Sequence, residues 1–285
     1  MLRTKAERSS VLRLLDDRDI GEVLALCDRD PVVNVFVSSR VHEAGLELAR
    51  LGGQVWGYQL GSQPISLCYA GANLVPVAAT PDAIAAFAGR ARLMGRRCSS
   101  LVGLAPAVLD LWDALRPYWG PPREVRGSQP VMEISGPPQV PPDPLVRMVR
   151  REELDILLPA SVAMFTEEVG VSPLGPDGGS AYRARVRELI DAGRAYARIE
   201  DGRVVFKAEI GSVTPHACQV QGVWVRPELR GRGLAEAGMA ALVNDALRRV
   251  APVISLYVND YNRPARAAYR RVGFTQTATF ASVLF

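Results

Sequence analysis

Five of the nine residues from 136 to 144 are prolines. Proline has no backbone N–H and a fixed φ, so this run fits neither a helix interior nor a central strand. It falls almost at the midpoint of the 285-residue chain. The sequence therefore reads as two domains, 1–140 and 145–285, with a linker at about 136–144. The length agrees with one large domain or two ordinary ones.

Hydrophobic periodicity repeats one order of elements on each side of the run. Before it, residues 11–15 read as a short strand, and helical patterns follow from Asp19 through Cys27 and over 32–49. Residues 54–60 and 65–70 read as strands joined by the turn Gly61-Ser62-Gln63-Pro64, with 74–78 as a third. Thr80-Pro81-Asp82 predicts an N-cap with proline at the first helical position, opening a helix to about Met94. A strand at 99–103, a helix at 107–115 and a strand at 131–134 complete the first half.

The second half reads as strand 145–149, helices 152–165 and 182–192, and strand 194–199. Asp201-Gly202 predicts a hairpin turn into 204–213. Strand 220–225, helix 235–250, strand 253–258, helix 264–272 and strand 275–285 follow. The fold class expected is α/β (α+β): two tandem domains, each a mixed sheet flanked by helices.

Hydrophobic residues make up 48% and charged residues 22%, so a packed core can form and disorder is excluded. No apolar run approaches the ~20 residues of a membrane span. The first residues carry Arg3 and Lys5 but no apolar segment of the secretory kind, so the cytoplasm is the compartment expected. The net charge is +4, with acids and bases interspersed, so neither nucleic acid nor a membrane is an expected partner. Only Lys5 and Lys207 are lysines, so nearly all the positive charge is arginine. Cys27, Cys68, Cys98 and Cys218 have no CxxC spacing, and His42 and His216 stand far apart, so no metal site is expected and the thiols read as buried and free.

The most informative stretch is Val223-Trp-Val-Arg-Pro-Glu-Leu-Arg-Gly-Arg-Gly-Leu-Ala235. A β-branched strand enters a turn holding Gly231 and Gly233, and a helix starts at once. Glycine permits positive φ, and the free N–H groups of a first helical turn converge on one point. With the helix dipole they make an anion site, to which Arg230 and Arg232 add forked donors. A glycine pair alone also serves an ordinary tight turn. The dinucleotide and Walker A patterns fit less well, the latter for want of Gly-Lys-Ser/Thr.

Arg230-x-x-Gly233-x-Ala235 after this strand resembles the acyl-CoA signature Q/R-x-x-G-x-G/A of the GNAT family of N-acetyltransferases. Asn262-x-x-Ala265-x-x-x-Tyr269-x-x-x-Gly273-Phe274 resembles the family's later helix and strand. The resemblance covers roughly 147–285. It implies a sheet split between the strands 220–225 and 253–258, with acetyl-CoA as the cofactor. The backbone of Val223, Trp224 and Val225 would pair with pantetheine, and the amides of Arg230, Gly231, Arg232, Gly233, Leu234 and Ala235 would hold the pyrophosphate. Asn262 would contact the cofactor, an N–H near Val225 would stabilise the oxyanion, and Tyr269 would protonate the leaving thiolate. The implied activity is transfer of an acetyl group to a primary amine by direct attack. The acceptor is a small molecule or a protein amine, and the protein a monomer or homodimer.

The resemblance leaves the general base open. Family bases often sit on the strand before the glycine turn, where this chain has Gln219 and Gln221. Glu209 on the neighbouring strand and Glu168 after the first helix are candidates, with Glu167 and Glu168 as acceptor-binding residues. Asp177 adds acidity to that segment, and His216 lies in an expected turn. A non-catalytic acyl-CoA sensor and an interaction protein with two silent halves are the alternative readings.

Family sheets end in a seventh strand, for which no residues remain after 285. Either the sheet is open there or residues 129–135 supply the strand. The first half has Ala79-Thr80-Pro81-Asp82 where the glycine turn would stand, so it reads as a degenerate copy without cofactor. Its expected jobs are scaffolding, covering the acceptor cleft or dimerisation.

Overall fold

The computed structural model describes residues 10–61, 63–175 and 178–285. Arg3, Lys5, Ser62 and Asp177 lie outside them. The first elements in chain order are β1 (Ser10–Leu14), α1 (Ile20–Cys27), α2 (Val35–Ala44), α3 (Leu48–Leu51), β2 (Gln54–Leu60), β3 (Gln63–Ala70), β4 (Asn73–Val77), α4 (Pro81–Met94), β5 (Ser100–Leu104), α5 (Ala105–Trp119) and β6 (Glu124–Ile134). There follow β7 (Arg147–Met148), α6 (Leu154–Val169), α7 (Ser180–Asp191), β8 (Ala195–Glu200), β9 (Arg203–Val213), β10 (Cys218–Val225), α8 (Leu234–Arg249), β11 (Ile254–Tyr257), α9 (Arg263–Val272) and β12 (Thr275–Leu284). The order strand, helices, three antiparallel strands, helix, strand, helix, strand occurs twice, as the periodicity predicts.

The chain forms two compact units, Met1–Val131 with Ala278–Phe285, and Met132–Thr277. In the first, β1 to β4 run antiparallel in order, β4 meets β5 in parallel, and Phe280–Leu284 of β12 pair antiparallel with β5. Successive strand residues face opposite sides of a sheet. Val55, Leu67, Val75 and Val77 accordingly join a core with α1, α2 and α3, whereas Trp56, Cys68, Leu74 and Leu101 join another with α4 and α5. The continuous helix expected over 32–49 is interrupted at Gly45, whose φ of +69 caps α2. Phe285 packs edge-on against Trp112 and Trp119, closing the second core.

In the second unit, β7, β8, β9 and β10 are antiparallel neighbours, and β10 meets β11 in parallel. Phe206, Ala208 and Ile210 of β9 pack with α8 and α9, while Ala195, Val204 and Trp224 pack with α6 and α7. Met132 and Ile134, at the end of β6, belong to the first of these cores. Residues 129–135, the segment read as a strand donor, are thus mainly within the long strand β6. The hairpin turn Asp201-Gly202 has both residues at positive φ, +48 and +67, as predicted for this dipeptide.

The proline run has no helix or strand, as its chemistry dictates, but it is not a free spacer. The Gln139 N–H donates to the Val272 carbonyl at 2.8 Å and the Asp143 N–H to the Ala237 carbonyl at 2.9 Å. The Asp143 carboxylate accepts from Arg198 at 2.9 Å. These bonds bind it along α8 and α9, since irregular backbone must find partners outside itself. All four cysteines are free and buried, and burial raises Cys27 and Cys218 to about 12 and Cys98 to about 11. Among the described residues no helix is long and apolar enough to cross a membrane.

Candidate active site

The site is built where β10 leaves β11. The two strands share a ladder only at Cys218–Ile254 and Gln219–Ser255, although β10 continues to Val225. β10 also bulges. Gln221 faces Glu209 and Trp224 faces Lys207, so Gly222 and Val223 oppose one residue of β9. Gly222 takes φ +60, the conformation a glycine-led bulge requires. The expected split of the sheet is therefore present, with the bulge at its inner end.

Beyond Val225 the chain makes a turn at Pro227–Leu229 and reaches Gly231 and Gly233, both at φ +75. A Cβ on either glycine would meet nothing within 4 Å, so backbone conformation and not crowding selects glycine here. No side chain caps α8. Intrahelical bonding starts with the Glu236 and Ala237 N–H groups, both donating to the Gly233 carbonyl at 3.1 Å. An open, uncapped helix start of sixteen residues fits an anion such as a pyrophosphate.

The two arginines of the turn are placed differently from a pair of free phosphate ligands. Arg230 donates through Nε to the Val225 carbonyl at 3.0 Å and through Nη2 to Glu167 at 2.7 Å. Arg232 reaches the Glu228 carbonyl at 3.4 Å. The other oxygen of Glu167 accepts from the Trp224 indole at 3.2 Å. Glu167, expected to bind acceptor, is held between Trp224 and Arg230. Asn262 caps α9, its Oδ1 accepting the Ala265 N–H at 3.3 Å.

Tyr269 is buried on α9, its ring centroid 6.0 Å from that of Phe274. Burial raises its pKa, and the charge of Glu168 raises it further. Tyr182, on α7, is also raised, first by burial, then by Glu209 and Glu168. Its hydroxyl donates to the Ser161 carbonyl at 2.9 Å. Glu168 and Glu209 therefore act on the same small region of the unit.

Glu209 itself is buried and bonded through both carboxylate oxygens. Its Oε2 accepts from Lys207 Nζ at 2.9 Å and its Oε1 from Gln221 Nε2 at 2.9 Å. His216 lies in the turn between β9 and β10, its N–H bonded to Thr214. The sequence singles out Glu209 and Glu168, and the structure adds Lys207, Tyr182 and Gly222 to their surroundings. Alternation along β9 was the available signal: residues 207 and 209 share one face, and lysine is otherwise nearly absent from the chain.

The corresponding place in the first unit is built differently. β4 and β5 also pair at only two positions, Asn73–Ser100 and Leu74–Leu101. Gly103 of β5 nevertheless stays beside β4: a Cβ on it would lie 3.6 Å from the Pro76 carbonyl oxygen. The start of α4 is occupied by its own cap, with the Ala83 N–H on Thr80 Oγ1 at 3.3 Å and the Thr80 N–H on Ser66 Oγ at 3.3 Å. Asp82 adds negative charge to that first turn.

Residues 165–274 match the model of the Acetyltransferase (GNAT) family, and residues 53–157 match a domain of unknown function (DUF4081). No curated protein matches the chain. Among solved structures, a GCN5-related N-acetyltransferase from Sphaerobacter thermophilus is similar at TM-score 0.62 and 17% identity, over 96% of this chain and 94% of that one. A GNAT-family acetyltransferase from Colwellia psychrerythraea is similar at TM-score 0.58 and 11% identity, over 96% and 99%. A tandem GNAT protein from the clavulanic acid biosynthesis pathway is similar at TM-score 0.58 and 15% identity, over 97% and 98%. At these identities the structures show a shared fold. The family match is thus to residues 165–274, and the glycine turn and the split sheet lie within that span.

Proposed function

We propose that the second unit is an acyl-CoA-dependent N-acyltransferase that moves an acetyl group from acetyl-CoA to a primary amine by direct attack. The observation that carries this reading is the open glycine turn at the start of α8, set at the end of a strand that has parted from its parallel neighbour. The amides of residues 230–235 hold the pyrophosphate, aided by the helix dipole. The backbone of Val223, Trp224 and Val225 offers a strand edge for pantetheine. Acetyl-CoA supplies the activated acyl carbonyl as a thioester.

Around that carbonyl the chain's own groups divide the work. An N–H near Val225 receives developing negative charge on the oxygen. Tyr269 keeps its proton at neutral pH, as burial and Glu168 only raise it further, and that proton is given to the departing sulfur. Glu209 takes the proton of the attacking amine. It is preferred to Glu168 because two donors fix its orientation. The first unit serves as a scaffold without a cofactor of its own, since its helix start is capped by Thr80. Four free, buried thiols suit a reducing compartment such as the cytoplasm.

The test is thermal unfolding with acetyl-CoA, followed by a thiol-release assay across a set of primary amines. Specific binding at a hundredfold excess over Kd stabilises by about 2.7 kcal/mol. No stabilisation would overturn the reading. Stabilisation without transfer to any amine would favour the sensor instead.

A further inference from the structure

Lys207 and Glu209 form an ion pair that stability alone does not explain. Lys207 is 1% exposed and Glu209 8%. Taking two charges out of water costs several kcal/mol each, and well-packed apolar residues often do as well or better at such positions. Lys207 is also the one lysine among the described residues.

The surroundings are shaped to keep the pair together. A Cβ on Gly222 would lie 3.1 Å from both Glu209 Cδ and Lys207 Nζ, and 3.0 Å from Met164 Cε. A Cβ on Gly211 would lie 2.3 Å from the Gln221 side-chain oxygen. Gly211 thus leaves room for Gln221 to reach Glu209, and Gly222 leaves room for Lys207 to do so. One donor on each carboxylate oxygen leaves each with an unused acceptor direction.

We propose that Lys207 is a positioning residue: with Gln221 it locks Glu209 as the carboxylate that takes the proton of the acceptor amine. The proposal rests on the acyltransferase reading above. Its physical reason is geometry: one donor on each oxygen fixes the plane of the carboxylate and leaves each oxygen an acceptor direction.

The full chain is assayed for thiol release from acetyl-CoA with n-butylamine, spermidine and Nα-acetyl-lysine amide, and the amine turned over fastest is used for the variants. K207M is expected to lower kcat/KM for that amine at least tenfold, with KM for acetyl-CoA within twofold of the parent. K207M/E209Q removes both charges together, which keeps the fold if K207M alone unfolds, and its loss is expected to equal that of E209Q. Multiplying losses, or a K207M with parental kcat/KM, overturns the positioning role. No turnover of any of the three amines by a protein that acetyl-CoA stabilises overturns Glu209 as the acceptor's base. A protein that acetyl-CoA does not stabilise overturns the acyltransferase reading itself.

Discussion

The guanidinium of Arg230 donates to the carboxylate of Glu167 at 2.7 Å, tying the last turn of α6 to the loop before α8. Both side chains are about half exposed, so the pair contributes under about 1 kcal/mol to stability. Its proposed importance lies in competition, because a pyrophosphate held at the start of α8, as proposed above, would bid for the same guanidinium. E167Q is expected to leave the melting temperature nearly unchanged and to tighten acetyl-CoA binding two- to fivefold. Calorimetric titration at low salt checks this; weaker binding would count against the competition.

Gly233 occupies φ +75 with open space where a side chain would go. G233A is expected to cost about 1 kcal/mol, from the strain of a left-handed non-glycine residue. G233E adds bulk and negative charge at the anion site and is expected to abolish stabilisation by acetyl-CoA. Thermal unfolding with and without acetyl-CoA separates the two effects.

Tyr269 is buried by its ring, while its hydroxyl serves the proposed proton transfer. Y269F retains the packing on Phe274 and the core of α8 and α9. Its expected effect is a ten- to hundredfold fall in kcat, with acetyl-CoA affinity within about twofold. Full retention of kcat would remove Tyr269 as the acid.

Glu153, just before α6, is buried and accepts from Arg147 at 2.7 and 2.8 Å and from the Arg150 N–H at 2.8 Å. The Arg147 hydrogen bonds, against the opposing effect of burial, lower its pKa to about 2. A carboxyl depressed in the folded state stabilises fully above its ordinary value, near 4.5, and loses that contribution as pH falls toward 2. E153Q is expected to destabilise by roughly 2 kcal/mol at pH 7, with the difference from the parent closing across this window. Urea unfolding at pH 7, 4.5 and 3 reads it directly.

Local rules were enough for most elements and for part of the site. The dipeptide Asp201-Gly202, the cap at Thr80-Pro81 and the glycines at 231 and 233 each dictate a backbone conformation that near neighbours in the chain already determine. The sequence offers Arg230 as a forked donor to the anion site, and the structure adds a partner for it, Glu167, sixty-three positions earlier. No local pattern encodes that partner.

The proline run shows the same division. Its residues by themselves exclude helix and central strand, but their bonds to Val272 and Ala237 exist only after α8 and α9 have packed. By itself the sequence determined the repeated order of elements, the glycine turn and the family resemblance, because these depend on periodicity, φ preference and spacing. Tertiary structure alone decided that Lys207, Glu209, Gln221 and Gly222 meet beside the β10 bulge, and that Phe280–Leu284 complete the first unit's sheet. Strand pairing and burial join residues far apart in the chain, and burial is what turns a lysine and a glutamate two positions apart into a fixed charge pair.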